Sequence, residues 1–235
     1  MKNVTLIIPA KNEPNALPIV LKEINELNLD VQIKIILDKD DLETHRAAKK
    51  FDCEIIFQTK KGYGNAIIEG LKSSETEFSC IFYADGSTDP KYISEMINKI
   101  NAYKLDIVFG SRYEKNAYSL DDDFITRVGN FFFTFLGNFL MKLKISDLLF
   151  TYILGKTECF KKMNLSSDDY SLCVEIPFKT KKFGFKYTTH PCIERKRLAD
   201  KKKVKAFSDG LKILVYLVKK YLNPVNWVQS FCNKT

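Results

Sequence analysis

Five short apolar runs alternate with amphipathic segments in the first half of this chain, and that alternation restricts the fold more than any other feature. The runs are Val4 to Ile8, Gln32 to Leu37, Glu54 to Phe57, Phe78 to Phe82 and Asp106 to Phe109. Each is rich in Ile, Val or Phe and bounded by polar or turn residues, the pattern of strands buried in a parallel sheet. Between them, Ala16 to Leu27, Leu42 to Lys50, Asn65 to Lys72 and Lys91 to Ile100 repeat apolar residues at helical spacing. A β-α-β-α-β-α-β-α-β order implies right-handed crossovers and an α/β architecture with helices on both faces of a mostly parallel sheet.

After Phe109 the pattern loosens. Phe124 to Leu143 is aromatic-rich with helical period; Ser146 to Leu154 follows, then a helix near Ser171 to Lys182 and a strand at Lys186 to Thr189. A basic stretch, Arg195 to Lys203, leads into a last amphipathic segment, Ala206 to Leu222, closed by Pro224. These features predict a main domain over residues 1–205 and an amphipathic helical segment over 206–235.

With 235 residues, 45% of them hydrophobic, the chain can build one sizeable core. Its net charge of +8 makes anionic partners plausible without choosing among nucleic acid, nucleotide diphosphates and acidic membranes. The six cysteines form no C-x-x-C pair or zinc-ligand cluster and read as reduced thiols. The first apolar run stops at Pro9, too short for a signal-peptide core. No stretch reaches the ~20 apolar residues that span a bilayer. A cytoplasmic chain is the expectation.

The stretch with most chemistry is Tyr83-Ala84-Asp85-Gly86-Ser87-Thr88-Asp89-Pro90, directly after the fourth apolar run. In an open α/β sheet, ligands sit beyond the carboxyl ends of the strands, where Asp side chains can hold a divalent cation against a diphosphate. Asp-Gly and Asp-Pro are also ordinary turn formers. Three further features precede this loop in order: Ile7-Ile8-Pro9-Ala10-Lys11-Asn12-Glu13, Asp38 after the second strand, and Lys61-Gly62-Tyr63-Gly64-Asn65-Ala66. Gly110-Ser111-Arg112-Tyr113 and Arg127-x-Gly129-Asn130 follow it.

Together these motifs resemble the glycosyltransferases of family 2, which have the GT-A (Rossmann-like) fold, and within them the polyprenol-phosphate sugar transferases such as dolichol-phosphate mannose and glucose synthases. The resemblance implies that Pro9, Ala10 and Glu13 contact the nucleotide, that Asp38 closes the second strand beside it, and that Gly62, Ala84 and Lys203 line the donor. Pro9 also reads as a strand terminator, Glu13 as a helix cap and Gly62-Tyr63-Gly64 as a tight turn. Arg112 and Arg127 match arginines that face the diphosphate and the acceptor phosphate, a task suited to the guanidinium fork. Arg197 and Lys203 match an R-x-G-x-x-S-K loop whose Gly and Ser are Ala199 and Lys202 here.

The chain departs from the family at its D-x-D, where Tyr83 stands for the first acid and Asp85 remains. The implied cofactor is Mg²⁺ or Mn²⁺ on Asp85, with Ser87 as a neutral ligand. Asp147 matches the family's Asp after Ile-Ser, but Phe150-Thr151 replaces the Ser/Thr-Gly pair that follows. Glu175 matches a glutamate near the acceptor side or sits on a helix surface.

The implied reaction is inverting transfer of a sugar from a GDP- or UDP-linked donor to a polyprenyl phosphate. Such an acceptor is already anionic and needs no general base. His45 and His190, the only histidines, read as structural. A polyprenyl acceptor implies peripheral contact with the cytoplasmic face of a membrane through Phe131 to Leu136 and Leu211 to Leu222. Core packing or a homodimer interface is the alternative use of those segments. No nucleic acid partner is expected. Two other readings stay open: a hydroxyl acceptor, with Asp147 as base, and a nucleotide-sugar-binding protein that has lost catalysis.

Overall fold

The chain is described by a computed structural model over residues 3–198 and 206–222. The first half follows the expected alternation: β1 (Val4–Ala10), α1 (Ala16–Glu26), β2 (Val31–Leu37), α2 (Leu42–Ala48), β3 (Glu54–Phe57), α3 (Tyr63–Ser73), β4 (Phe78–Ile81), α4 (Lys91–Tyr103) and β5 (Ile107–Ser111). The second half adds β6 (Tyr118–Ser119), α5 (Phe124–Met141), β7 (Ile153–Lys156), α6 (Thr157–Met163), α7 (Leu172–Lys182), β8 (Tyr187–Pro191), β9 (Ile193–Glu194) and α8 (Ala206–Leu222).

Seven strands form one sheet in the order β3-β2-β1-β4-β7-β5-β8, and β6 pairs with β9 in a small separate ladder. β1 runs parallel to both β2 and β4, and β5 parallel to β8. The exception is β7, antiparallel to β4 and to β5 and lodged between them. It lies in the Ser146 to Leu154 region and just beyond, to which the apolar pattern assigned no element. Four residues including Gly155 offer too little periodicity to mark a strand. Its direction matters: the amino end of β7 lies beside the carboxyl ends of β4 and β5. The loop before it, residues 146–152, is thereby delivered to the same edge as the Asp85 loop.

Helices cover both faces, as the alternation implies. On one face α1 and α4 bury Leu17, Val20, Leu21, Ile24, Ile93 and Met96 against Leu6, Ile8 and Ile35. On the other, α3, α6 and α7 close over Ile7, Ile36, Ile81 and Phe109. The expected boundary at residue 205 falls outside the described residues. Beyond it, α8 packs against α5 and α7 and places Ile213 and Leu217 in that second core. Leu217 is fully buried whereas Leu222, on the same helix, is exposed. Leu217→Ala is therefore expected to cost about 2–5 kcal/mol in urea unfolding, against less than about 0.5 kcal/mol for Leu222→Ala.

Candidate active site

The carboxyl ends of β1, β2, β4 and β5 lie along one edge of the sheet, with the change in strand order between β1 and β4, where α/β folds bind ligands. Pro9 and Ala10 end β1 opposite Ile36 and Leu37 of β2. Asn12 then takes a left-handed conformation and donates its N–H to Asp41 Oδ2 at 2.6 Å. Glu13 is buried, donates its N–H to Thr44 Oγ1 at 2.9 Å, and its carbonyl accepts the first α1 bond from Leu17. The β1–α1 loop is thus tied to the start of α2, whose N-cap Asp41 also accepts from Thr44 N–H. Asp41 was missed in the sequence, although an Asp ahead of an amphipathic run is a cap signal. Asp38 lies 3.3 Å from Lys61 Nζ, and Asp40 2.9 Å from the same ammonium. The Asp40 N–H, with Lys61, holds the Asp38 carboxyl below its ordinary value.

The Gly62-Tyr63-Gly64 turn is used differently from the expectation. Gly62 has φ +138°, and a Cβ there would collide with the Asp168 carbonyl; one on Gly64 would meet Ser167. The N–H groups of Gly64 and Asn65, at the start of α3, both donate to Asp168 O, at 2.9 and 3.2 Å. The missing side chains therefore make room for the 166–169 loop rather than for a nucleotide, and a backbone carbonyl already fills those two α3 donors. Glu175 anchors that loop: its carboxylate accepts from Ser166 N–H and Oγ and from Ser167 N–H, and pairs with Lys179 at 2.7 Å. Burial opposes its charge, yet Lys179 and the Ser167 N–H hold its carboxyl below the ordinary value.

In the central loop, Ala84 is buried and Tyr83 turns inward. The Tyr83 hydroxyl accepts from Thr151 N–H at 2.8 Å and lies 2.9 Å from Thr151 Oγ1, which also meets the Tyr63 hydroxyl at 2.6 Å. Its ring meets Phe150 edge-on. The two departures from the family pattern, Tyr83 and Phe150-Thr151, are thus one packed unit. Burial pushes the Tyr83 phenol well up, so it stays protonated.

Asp85 Oδ1 accepts from Ser87 N–H at 3.0 Å and from Ser87 Oγ at 2.7 Å. Ser87, expected as a neutral metal ligand, is 1% exposed and donates its hydroxyl proton to Asp85. Asp85 Oδ2 faces Arg197 Nη1 at 3.6 Å. Among the described residues no three acidic, His or Cys side chains are placed to hold a metal. The donor set around Asp85 therefore amounts to one carboxylate with one oxygen left over, and it does not fit a divalent ion held by protein groups.

The three expected arginines part company. Arg112 is 6% exposed. Its Nε and Nη2 grip Asp147 at 2.7 and 3.0 Å, and Nη1 reaches Glu194 at 3.2 Å and Asp122 at 3.4 Å. Its fork is spent on three buried carboxylates, which corrects its assignment to the diphosphate: it positions β5, β9, α5 and the 146–152 loop. Asp147, 1% exposed and paired to it, is no free base either. Burial pushes the Glu194 carboxyl up, against the pull of Arg112.

Arg127 is exposed on the first turns of α5, one turn ahead of Asn130, and its side chain has no hydrogen bond or ion pair among the described residues. Arg197 lies over Asp85, gripped by Asp121 through Nε at 3.1 Å and through Nη2. Its strand-like segment is fastened by Arg195 N–H to Ser87 O and by Leu198 N–H to Asp85 O. The basic stretch therefore lies along the Asp85 loop as far as Leu198; Lys203 lies outside the described residues. His190 bonds Glu95 at 3.1 Å and His45 packs on Phe57, away from this cluster. A shallow cavity lined by Glu75, Glu77, Lys156 and Lys161 opens at the opposite end of β4 and holds none of the expected residues.

Removing the Arg112 fork strands three buried carboxylates. Arg112→Met is expected to lower stability by about 3–5 kcal/mol, seen as an earlier urea midpoint, whereas Arg127→Met leaves the midpoint in place. The Glu175 carboxyl is held below its unfolded value of 4.5, so its contribution is complete above pH 4.5 and is lost as pH falls through the lower folded value. Glu175→Gln should flatten that acid limb of a stability–pH curve; an unchanged limb would remove Glu175 as its source.

Comparison with known proteins identifies the family and the fold. The family model for glycosyl transferase family 2 matches residues 5–163. A dolichyl-phosphate hexose transferase of Haloferax volcanii is 23% identical over 217 residues, 92% of this chain and 93% of that protein. An uncharacterized glycosyltransferase of Mycobacterium bovis is 25% identical over 126 residues, 54% of this chain and 55% of its own. Among solved structures, glucosyl-3-phosphoglycerate synthase from Mycobacterium tuberculosis, in complex with Mn²⁺, UDP and glucosyl-3-phosphoglycerate, superimposes with a TM-score of 0.71 at 11% identity, covering 93% of this chain and 80% of that one. The same enzyme with Mn²⁺, UDP-glucose and phosphoglyceric acid gives 0.68 at 13% identity, over 94% and 80%. The fold is GT-A, and the chain belongs to glycosyl transferase family 2.

Proposed function

We propose that this glycosyltransferase moves a hexosyl group from a GDP- or UDP-linked donor to a polyprenyl phosphate at a membrane surface, with inversion. The observation that carries this reading is α5. It starts beside the Arg112 cluster, where Asn130 donates to the Tyr113 hydroxyl at 2.7 Å, and runs outward with Phe131, Phe132, Phe135 and Phe139 all more than half exposed. Phe124, Ile125 and Val128 extend the same exposure, and Leu211 and Val215 of neighbouring α8 add to it. Soluble chains rarely leave so much contiguous apolar surface uncovered. Each Phe moved from water to lipid is worth about 1.5–3 kcal/mol, and Lys142 at the end of α5 with Lys212, Lys219 and Lys220 of α8 suit an anionic interface. Among the described residues no helix is long and apolar enough to cross a membrane. The match to a dolichyl-phosphate hexose transferase along nearly the whole chain supports the same acceptor class.

In this reaction an acceptor phosphate oxygen attacks the anomeric carbon from the face opposite the leaving group. The bond from that carbon to the donor diphosphate breaks, and its electron pair stays on the departing phosphate oxygen. The acceptor is already ionised, which suits a site whose buried Asp147 is locked to Arg112. In this reading exposed Arg127, at the foot of the aromatic face, meets the acceptor phosphate, and Arg197 the donor.

The test incubates purified protein with UDP- and GDP-hexoses and either polyprenyl phosphate in liposomes, phosphoglyceric acid or a simple glycan, with and without Mg²⁺ or Mn²⁺. A lipid-linked sugar is the expected product. Transfer only to a soluble acceptor would overturn the membrane reading. Phe131→Ser with Phe135→Ser should reduce liposome flotation at least about tenfold, the equivalent of losing about 1.4 kcal/mol, while nucleotide binding persists.

A further inference from the structure

We infer that Arg197 occupies the place opposite Asp85 that a divalent ion takes in a D-x-D site, so that the nucleoside diphosphate of the donor is bound by a guanidinium without metal. This rests on the proposed use of a nucleotide-sugar donor and concerns how that donor's charge is met.

Four observations converge. The first acid of the D-x-D is Tyr83, whose phenol is turned away into Thr151, with both the N–H and the hydroxyl of Thr151 within 2.9 Å. A phenol packed this way cannot turn outward without breaking the Tyr63–Thr151–Tyr83 cluster. Secondly, Asp85 Oδ1 has both lone pairs occupied by Ser87, through N–H at 3.0 Å and Oγ at 2.7 Å. Thirdly, the remaining oxygen, Oδ2, faces Arg197 Nη1 at 3.6 Å. Mg²⁺ sits about 2.0–2.1 Å from its oxygens and demands near-octahedral order. An ion on Oδ2 would share that one carboxylate oxygen with the Arg197 cation, and like charges at such short range repel.

The fourth observation is that Arg197 is built into its position. Leu198 N–H donates to Asp85 O at 2.7 Å and Arg195 N–H to Ser87 O at 2.8 Å, so the strap runs along the Asp85 loop with two backbone bonds. Gly86 has φ +81°, and Leu198 fills the space where a Cβ would stand, 2.6 Å from its Cδ1. Arg195 adds an ion pair to Glu23 at 2.7 Å and a bond to Thr88 O at 2.9 Å. Asp121 holds Nε and Nη2 of Arg197. Nη1 is left without a hydrogen bond among the described residues, because 3.6 Å to Asp85 is beyond hydrogen-bond reach. Its two protons are the donors an incoming phosphate oxygen would take, and Asp85 becomes the group that orients the guanidinium.

The test is calorimetric titration of the full chain with UDP and with GDP, in EDTA and in excess Mn²⁺, alongside Mn²⁺ electron paramagnetic resonance to count bound ion. One of the two nucleotides should bind in EDTA, with a Kd that Mn²⁺ changes by less than about threefold, and no Mn²⁺ beyond that carried by the nucleotide should become bound. Arg197→Ala should weaken metal-free binding about 10- to 100-fold, as expected for loss of a charged hydrogen-bonding partner, with thermal unfolding verifying that the variant is folded. Tyr83→Asp, which restores both acids, should make Mn²⁺ tighten binding. Binding that requires Mn²⁺ in the unaltered chain, or metal-free binding untouched by Arg197→Ala, overturns the inference and leaves the transferase reading standing. A folded Tyr83→Asp protein indifferent to Mn²⁺ overturns the part given to Tyr83. Failure of UDP and GDP to bind in either medium overturns the donor reading itself, and the inference with it.

Discussion

One reversed strand organises the functional edge of this molecule. Because β7 runs antiparallel between β4 and β5, the loop before it emerges where the parallel strands end, carrying Asp147 to Arg112 and Thr151 to Tyr83. A parallel strand in that slot would have sent the same loop to the far end of the sheet. The partners that occupy Arg112 and that turn Tyr83 inward both depend on this direction.

The electrostatics divide into a buried and an accessible part. Arg112 meets Asp147, Glu194 and Asp122 out of water, where an ionised group is tolerable only when fully partnered. That cluster joins the ends of β5, β9 and α5 to the 146–152 loop, and its cation is consumed in doing so. Arg197 and Arg127 lie nearer solvent. The first is shared between Asp121 and Asp85, its Nη1 in an ion pair with Asp85 but making no hydrogen bond among the described residues, and the second has no side-chain partner among them. An arginine serves a phosphate only with donors to spare, and burial decides which arginines have them.

The glycines of the 62–64 turn teach a related lesson about close approach. They let the carbonyls of Ser167 and Asp168 come against α3, and Glu175 holds that loop from behind with Lys179. A Gly-x-Gly ahead of a helix signals that some backbone or ligand approaches closely, and the sequence carries no mark of which. Here the visitor is another part of the same chain.

Much of the architecture was legible from local pattern. The first five strands and four helices lie close to where apolar period put them, because strand and helix periodicity reflect burial against a sheet, which is local in sequence. The ordered motifs around Asp38, Asp85 and Arg112 likewise marked the correct edge, because strand ends in an α/β sheet converge by topology. What sequence could not decide was allocation. Arg112 and Arg197 look alike as residues; only the fold shows one enclosed by three carboxylates and the other with a nitrogen that makes no hydrogen bond among the described residues, because partners as distant in sequence as Glu194 from Arg112 and Asp85 from Arg197 set those environments. Nor could it show that Tyr83 and Thr151, 68 residues apart, are one hydrogen-bonded unit. Contacts of that span arise from strand order and direction, which no local periodicity encodes.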